Sequence, residues 1–545
     1  MEMHFATVWE AIADAMPDTP AVINGAVSRT WRDYDDRAAR AAGALRAAGL
    51  GHDSKVGLYL YNGNEYLEAQ YAAFKLRAVP INVNYRYLDD ELWYLLDNAD
   101  AEALVFHTSL GDRVARVKDR LPECKTLIAV DDGPPADEAE VPVVDAAAWE
   151  DVIAGHEPME RIERGEDDVY MLYTGGTTGM PKGVMYAMGG LTGGFVEAAF
   201  PMLGLPSPSD PSEIAGIVKE AGDKGDRLIS VPACPLMHGT GGWLGALTPH
   251  LAGGTVITLT SRSLDAHELF EVVQRHRATG VVIVGDAFAR PIIRAFDDAA
   301  ERGTPYDTSS LKSIISSGVM WTAEVKEALL ERIGHVVLID AIGSTEGSMG
   351  LSISMKGMSA ETARFTQMPT TRVFTVDGQP VQPGSGEVGM VAAGGNVPLG
   401  YYKDPEKSAR TFRVIDGVRY SFPGDLATVN ADGSISFLGR GSQVINTAGE
   451  KVFPEEVEEA IKRLAAVEDC VVVGVPDERF GEAVAAVVSL AHGADIDGAT
   501  IIAEVKRHLA GYKAPKHVVF VEQVPRAPNG KADYRAAKEQ AQAAF

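Results

Sequence analysis

Short apolar runs alternate with amphipathic segments through the first 350 residues of the chain. Residues 55–60 (KVGLYL) and 281–285 (VVIVG) are such runs, and the segment after each has apolar positions at helical spacing. Strand–helix alternation of this kind is typical of parallel sheets covered by helices. We therefore predict an α/β fold, with parallel or mixed sheets, for the large N-terminal part of the chain.

The hydrophobic pattern changes further along. Between residues 372 and 399, short apolar runs are separated by DG, PGSG and GG, which favours antiparallel, barrel-like strands. From residue 441 a compact pattern begins, with a helix predicted at PEEVEEAIKRL and strands at CVVVGVP and AVAAVVSL. We therefore predict an N-terminal domain at residues 1–440 and a small α+β domain at residues 441–545. The polar segment 207–226 is predicted to be an irregular surface excursion.

The composition indicates a soluble, cytoplasmic protein. The 545 residues are 46% hydrophobic, and the formal net charge of −26 disfavours nucleic acid and anionic membrane surfaces as partners. The acidic start and the lack of any run of about 18 apolar residues argue against a signal peptide and a membrane span. The three cysteines are far apart, which argues against disulfides or a zinc cluster. The sequence leaves the oligomeric state open, with a homodimer as one alternative.

A glycine- and threonine-rich stretch, YTGGTTGMPKGV at residues 173–184, follows the apolar run DVYMLY. Glycines allow several backbone N–H groups to converge, threonine hydroxyls add donors, and a lysine adds a mobile positive charge, so the stretch predicts a phosphate cradle. It is not a Walker loop, because Met180 and Pro181 precede the lysine and a glycine follows it. A flexible surface turn is the alternative. The predicted phosphate-binding residues are Thr174, Gly175, Gly176, Thr177, Thr178, Gly179 and Lys182.

This stretch closely resembles the phosphate loop of the adenylate-forming enzymes, the superfamily of acyl-CoA synthetases, luciferases and peptide-synthetase adenylation domains. Further family motifs follow in the expected order, so that the resemblance covers nearly the whole chain. They are DAIGSTEG at 340–347, SFPGDLA at 421–427, Gly439-Arg440, and PRAPNGK at 525–531. Each motif is weak alone, and their joint order carries the resemblance.

The resemblance implies a role for one residue or more in each motif. Thr345 would contact phosphate, and Glu346 would hold Mg²⁺, a cation that prefers oxygen ligands. Asp425 would accept hydrogen bonds from the ribose hydroxyls, Arg440 would contact ribose and phosphate, and Lys531 would be the catalytic lysine. The other positions implied to bind nucleotide or coenzyme A are Ser317, Gly318, Ile342, Gly343, Ser344 and Gly449.

The resemblance also implies that the C-terminal domain moves. It would swing about a hinge at Ser442, withdraw Lys531 and bring the loop INTAGEKVFPEEVE, with Gly449 as its glycine of closest approach, to the thiol arm of coenzyme A. Two positions depart from the family pattern. Many relatives carry Asp or Lys in place of Ser442, and Ile342 stands where a tyrosine often stacks on adenine.

The acid substrate is specified by fewer residues. CPLMHGTGGW resembles the family segment that places a histidine near the acyl carboxylate, so His238 is predicted at that end of the pocket. VGDAFARP and the loop INTAGEKVFPEEVE look most like the actinobacterial ligases that activate the carboxylated side chain of sterols. Asp286 is a candidate pocket acid, with a helix N-cap as the alternative.

We therefore predict an AMP-forming acyl-CoA ligase with ATP, Mg²⁺ and coenzyme A as cofactors and a small carboxylic acid as substrate. The acid attacks the α-phosphate of ATP to give acyl-AMP and pyrophosphate, and the thiol of coenzyme A then releases AMP. A steroid side-chain carboxylate is the predicted acid, and medium- or long-chain fatty acids and aryl-alkanoates are alternatives. A non-catalytic nucleotide-binding protein, or an acyl-AMP ligase serving a carrier protein, is the alternative of another class.

Overall fold

The structure is a computed structural model that describes residues 2–133, 144–176, 179–447, 450–477, 481–527 and 530–544. The chain divides into two compact units and passes between them several times. The first unit comprises Met1–Ile283, Ala299–Ile315 and Asn396–Arg410, and the second comprises Val284–Asp298, Ser316–Gly395 and Thr411–Phe545. The domain boundary between residues 440 and 441 stays a prediction.

Helices and strands alternate along much of the chain. The α-helices are α1 (Phe5–Ala15), α2 (Trp31–Ala47), α3 (Asn64–Lys75), α4 (Asp89–Asn98), α5 (Gly111–Val117), α6 (Trp149–Gly155), α7 (Met188–Met202), α8 (Ile214–Asp223), α9 (Thr248–Leu251), α10 (Ala266–His276), α11 (Gly285–Glu301), α12 (Ala323–Arg332), α13 (Pro405–Thr411), α14 (Pro454–Lys462), α15 (Gly498–His508) and α16 (Tyr534–Ala543). The strands are β1 (Pro20–Asn24), β2 (Val27–Thr30), β3 (Lys55–Tyr59), β4 (Val79–Asn82), β5 (Ala101–His107), β6 (Thr126–Val130), β7 (Ala147–Ala148), β8 (Val169–Gly176), β9 (Gly179–Ala187), β10 (Ile229–Pro232), β11 (Thr255–Thr258), β12 (Gly280–Ile283), β13 (Ser313–Ser317), β14 (Val337–Ser344), β15 (Gly347–Ser354), β16 (Arg364–Gln367), β17 (Thr371–Phe374), β18 (Gly389–Ala393), β19 (Gly400–Tyr401), β20 (Phe412–Ile415), β21 (Val418–Ser421), β22 (Asp425–Val429), β23 (Ile435–Arg440), β24 (Ile445–Thr447), β25 (Glu450–Val452), β26 (Val467–Asp477), β27 (Gly481–Leu490) and β28 (His517–Phe520).

The first unit contains the predicted parallel sheets. One sheet has the strand order β4-β3-β5-β6-β7 with parallel pairing throughout, and another has the order β2-β1-β11-β10-β12 with only β2 antiparallel to its neighbour. Strands β3 and β12, which were predicted from their apolar runs, are buried at every position. Burial at every position is expected of parallel strands whose two faces are covered.

The second unit is dominated by antiparallel pairing. Its strands run in the order β14-β15-β16-β23-β22-β18-β21-β20, and β17 pairs with β18 in the region predicted to be barrel-like. A separate sheet has the order β25-β24-β27-β26, with β28 parallel to β27. The predicted helix PEEVEEAIKRL forms α14, which packs against β26 of this sheet.

The segment 207–226 is more regular than its polar composition indicated. Residues Ile214–Asp223 form α8, and the side chains of Ile214 and Val218 are buried. These two residues are four positions apart and so lie on one face of the helix, which packs on α1. The prediction of an irregular excursion was wrong for these residues, because two apolar positions at helical spacing are enough to dock a short helix.

None of the helices in the described ranges is long and apolar enough to cross a lipid bilayer.

A buried asparagine joins separate elements of the first unit. Asn82, at the end of β4, is 7% exposed. Its Nδ2 atom donates to the carbonyls of Tyr173 (2.8 Å) and Met237 (2.7 Å), and its Oδ1 atom accepts from the N–H of Tyr173 (2.6 Å). Asn82 thereby holds β8, which leads into the predicted phosphate cradle, and the segment next to His238.

We predict that Asn82→Ala lowers the free energy of unfolding of this unit by about 2–4 kcal/mol, because it leaves buried backbone groups without hydrogen bonds. Urea or thermal unfolding of the purified protein measures the change. Asn84→Ala is the control, since the Asn84 side chain accepts a local hydrogen bond from the N–H of Arg86, and its loss should cost less than about 1 kcal/mol. Equal effects of the two substitutions would contradict the prediction.

Candidate active site

The predicted phosphate cradle folds as an antiparallel β-hairpin of β8 and β9. Thr174 lies opposite Lys182, and Gly176 lies opposite Gly179. Residues directly opposite each other in an antiparallel pair point to the same face, so the Thr174 hydroxyl and the Lys182 ammonium lie on one side of the hairpin. Two predicted positions lie outside the described residues, namely Thr177 and Thr178.

The side chain of Lys182 is accessible and weakly paired. Its Nζ atom is 3.7 Å from Oδ2 of Asp404 and 5.7 Å from the ring centre of Tyr401, and the side chain is 31% exposed. An exposed ion pair at this separation contributes little to stability. The ammonium can therefore exchange Asp404 for a phosphate oxygen at small cost.

Two asparagine side chains hold the segment that carries His238. Asn82 binds the carbonyl of Met237, and Nδ2 of Asn62 donates to the carbonyl of Cys234 (3.1 Å). Burial raises the pKa of the Cys234 thiol to about 12, so the thiol stays protonated at neutral pH. The segment is therefore suited to hold His238 in place, and Cys234 is unsuited to act as a nucleophile.

In the second unit, β14 and β15 form a hairpin whose two-residue turn consists of Thr345 and Glu346. The N–H of Glu346 donates to Oγ of Ser344 (3.1 Å), which fixes the turn. Gly343 is exposed, and Ile342 is half-buried at the end of the same strand. The DAIGSTEG motif therefore places Ser344, Thr345 and Glu346 together at one end of the hairpin.

Asp425 and Arg440 face each other across the neighbouring strands β22 and β23. Nε of Arg440 is 3.4 Å from Oδ1 of Asp425, and Asp425 is 6% exposed. Asp425 begins β22 and Arg440 ends β23. The residues from the two motifs therefore form one charged pair at the end of these paired strands.

Lys531 lies near this pair and keeps part of its surface exposed. Desolvation and the charge of Arg440 lower the pKa of Lys531, whereas Glu346 and Asp425 oppose that change. Burial raises the pKa of Asp425 and Glu346 adds to the rise, whereas Arg440 and Lys531 oppose it. The structure thus brings together four charged residues that were predicted from separate motifs.

For the remaining predicted positions, the structure gives burial and backbone conformation. Ser317 ends β13 and is half-buried, and Gly318 is exposed with φ of +98°. Ser442 is exposed in the 3-10 turn Gly441–Gln443. Gly449 lies outside the described residues.

Asp286 contacts the residue that caps α12, and its role as a pocket acid stays a prediction. It lies in the first turn of α11, and its carboxylate accepts hydrogen bonds from the N–H (2.9 Å) and Oγ1 (3.0 Å) of Thr322. Thr322 is the N-cap residue of α12. Asp286 thus connects the starts of α11 and α12.

Glu455 is a half-buried acid near Arg440 that the sequence motifs did not indicate. Gly439 has φ of +105°, and a Cβ atom there would overlap the carboxylate of Glu455, so the acid packs directly on the Gly439 backbone. Its Oε2 atom is buried and has no hydrogen-bond partner among the described residues. Burial, followed by the charge of Glu458, raises the pKa of Glu455 to about 8, and Asp425 adds to the rise. No sequence signal identifies this contact, because it joins two motifs that look independent.

Comparison with known proteins gives matches over most of the chain. Residues 9–402 match the family described as AMP-binding enzyme, and residues 456–531 match the AMP-binding enzyme C-terminal domain. The chain is 40% identical to a 3-oxocholest-4-en-26-oate–CoA ligase of Rhodococcus rhodochrous, over 99% of this chain and 96% of the relative. It is 41% identical to a medium-chain acyl-CoA ligase of Mycobacterium avium, over 98% of this chain and 97% of the relative. The crystal structure of an anthranilate CoA ligase in complex with anthranoyl-AMP matches with a TM-score of 0.84 at 21% identity, over 100% of this chain and 98% of that chain.

We predict that Glu455→Gln removes a pH-dependent loss of stability. The pKa of Glu455 is raised from 4.5 to about 8 in the folded protein. The free energy of unfolding therefore decreases as the pH rises from 4.5 to about 8, and this contribution is constant at higher pH. The variant should therefore gain stability over the wild type by up to about 1 kcal/mol per pH unit between these values. Unfolding midpoints measured from pH 5 to pH 9 provide the test.

Glu456→Gln is the matched control for this prediction. Its carboxylate pairs with Nζ of Lys513 at 2.6 Å and accepts from the N–H of Phe453. Loss of those contacts should lower stability by a similar amount across the whole pH range. Parallel pH profiles for the wild type and Glu455→Gln would contradict the assignment.

Proposed function

Because this chain belongs to the AMP-binding enzyme family and is an AMP-forming acid–thiol ligase, we propose that its acid substrate is the carboxylated side chain of a sterol. The observation that carries the substrate proposal is the full-length similarity to the ligase of Rhodococcus rhodochrous, whose name gives a steroid acid. A medium-chain fatty acid is the second candidate, because the relative from Mycobacterium avium is equally similar. The predicted superfamily and the α/β fold class are confirmed.

We propose that the motif residues contact the nucleotide as the resemblance implies. The N–H groups of the β8–β9 hairpin, Thr174 and Lys182 bind phosphate oxygens. Asp425 accepts hydrogen bonds from the ribose hydroxyls, and Arg440 contacts ribose and phosphate. The charges of the Asp425–Arg440 pair and their separation of 3.4 Å suit both roles. The other nucleotide-binding positions are Ser317, Gly318, Ile342, Gly343, Ser344 and Thr345.

The first reaction step needs positive charge that is in place beforehand. A carboxylate attacks the α-phosphate of ATP, so two anions approach each other and negative charge increases on the phosphate oxygens. Lys531 supplies an ammonium near Glu346, Asp425 and Arg440, where a phosphate that binds there would meet it. His238 orients the acyl carboxylate. Once AMP is the leaving group, attack by the thiol of coenzyme A needs less charge stabilisation.

Mg²⁺ fits the residues at the turn of β14 and β15. Glu346 offers a carboxylate and Thr345 a hydroxyl, both oxygen ligands of the kind that Mg²⁺ prefers. In the described ranges, no group of three His, Cys, Asp or Glu side chains is arranged to hold a metal ion. An ion at Glu346 would therefore take its remaining ligands from water and substrate phosphates, and it would neutralise phosphate charge there.

The second step is proposed to use a different face of the C-terminal segment. A rotation at Ser442 would withdraw Lys531 and bring Gly449 to the thiol arm of coenzyme A. The exposed position of Ser442 in a short 3-10 turn supports this proposal, because few packing contacts oppose a change of backbone angles there.

We predict that Lys531→Ala lowers acyl-adenylate formation by about a hundredfold or more, because the positive charge at the carboxylate and the α-phosphate is lost. Formation of acyl-CoA from supplied acyl-adenylate should change less than about threefold. Acid-dependent exchange of pyrophosphate into ATP measures the first step, and thioester release measures the second. Lys538→Ala is the control, since Lys538 is exposed and 3.7 Å from Glu482. Equal loss of both steps would refute the division of roles.

The substrate proposal predicts that steroid acids give the highest turnover. AMP release is measured with ATP, Mg²⁺ and coenzyme A over a panel of octanoate, palmitate, an arylpropionate, and steroid acids with five-carbon and eight-carbon side chains. Highest turnover with a fatty acid would contradict the steroid assignment and support the second candidate. AMP release that does not depend on coenzyme A would indicate another acceptor, such as a carrier-protein thiol.

A further inference from the structure

Residues 525–527 and 530–532 pair as the two arms of a hairpin, and Lys531 lies in the second arm. Arg526 and Ala532 face each other as an antiparallel bridge. Within it, the N–H of Ala527 donates to the carbonyl of Lys531 (2.8 Å), and the N–H of Gly530 donates to the carbonyl of Ala527 (2.9 Å). The backbone on both sides of Lys531 is therefore fixed by hydrogen bonds.

Arg526 connects this hairpin to the sheet behind it. Its Nη1 atom donates to the carbonyl of Gly530 (2.8 Å), the peptide group immediately before Lys531. Its Nη2 atom donates to Oδ1 of Asp469 (2.7 Å), and its Nε atom donates to Oδ2 of the same carboxylate. One planar guanidinium thus binds β26 through two parallel hydrogen bonds and the Lys531 hairpin through a third. A lysine cannot reproduce this geometry.

The carboxylate that anchors Arg526 is itself held by a buried lysine. Nζ of Lys462, at the end of α14, is 3.1 Å from Oδ1 of Asp469, and its side chain is 4% exposed. Burial disfavours the charged form of Asp469, but Lys462 and Arg526 together hold its pKa well below the usual range. Asp469 is therefore ionised throughout the neutral range, and the anchor does not switch off with pH.

The hairpin has little freedom on its other side. Gly530 has φ of +74°, and a Cβ atom there would lie 3.2 Å from Cε2 of Phe288 and 3.3 Å from Cγ1 of Val284. The backbone at Gly530 therefore packs closely on the start of α11 while Arg526 binds its carbonyl. These two contacts together fix the direction in which the Lys531 side chain leaves the backbone.

We propose that Arg526, anchored by Asp469 and Lys462, is a positioning residue for the acyl-adenylate-forming step and acts by holding the Gly530–Lys531 peptide in place. The inference rests on the proposed role of Lys531. Arg526 itself does not touch the reacting atoms. The lysine ammonium sits at the end of a flexible stem with four rotatable bonds, so its position depends on the backbone that anchors it. A displacement of about 1 Å can cost on the order of a hundredfold in rate.

The test compares the two half-reactions in Arg526→Ala and Arg526→Lys. It uses the full-length protein and the acid with the highest turnover in the panel. Pyrophosphate exchange should fall about tenfold to a hundredfold in Arg526→Ala through kcat, with the KM for ATP nearly unchanged. Arg526→Lys keeps the charge beside Asp469 but loses the bond to the Gly530 carbonyl, so it should show the same selective loss at smaller size. Acyl-CoA formation from supplied acyl-adenylate should stay within about threefold in both variants.

Arg294→Ala is the matched control, because Arg294 forms an exposed ion pair with Glu468, the neighbour of Asp469 in β26. Both half-reactions should be unchanged in this variant. An Arg526→Lys variant with unchanged exchange, or with equal loss of both half-reactions, overturns the positioning role. Lys531→Ala is assayed alongside. If it retains pyrophosphate exchange, the proposed role of Lys531 fails, and this result is distinct from the failure of Arg526 alone.

Discussion

The burial of the Asp425 carboxylate beside Arg440, Glu346 and Lys531 is the constraint on which the candidate site depends. A buried ammonium or carboxylate costs several kcal/mol unless charges of the opposite sign lie close to it. Here two acids and two bases offset one another, as the opposing influences on the pKa values of Lys531 and Asp425 show. Such a cluster avoids a large desolvation cost only when all four side chains are in place. It therefore favours the one arrangement that brings these side chains together.

Antiparallel hairpins supply most of these groups. The strand–helix alternation correctly predicted the parallel sheets of the first unit, including β3 and β12. The glycine-rich stretch, however, forms the hairpin of β8 and β9, and DAIGSTEG forms the hairpin of β14 and β15. In a two-residue turn the side chains of neighbouring residues stay together, which places Thr345 beside Glu346. Apolar periodicity identifies the segments that form strands, but it does not show which strand each one pairs with in the sheet.

The sequence identified the charged residues of the site but not the contacts that hold them. Glu346, Asp425, Arg440 and Lys531 belong to ordered motifs, so a resemblance could locate them. The bond from Arg526 to Asp469 joins positions 57 residues apart, and local pattern carries no information about such pairs. The packing of Glu455 on Gly439 depends on the missing Cβ atom and the positive φ of that glycine, which become meaningful only once β23 and α14 are in place.

The position of Ser442 between Gly439 and Glu455 links the proposed hinge to protonation. Any rotation at Ser442 that carries α14 away from β23 separates the Glu455 carboxylate from the Gly439 backbone and exposes it to water. Its pKa would then fall from about 8 toward 4.5, so the acid would release a proton at neutral pH.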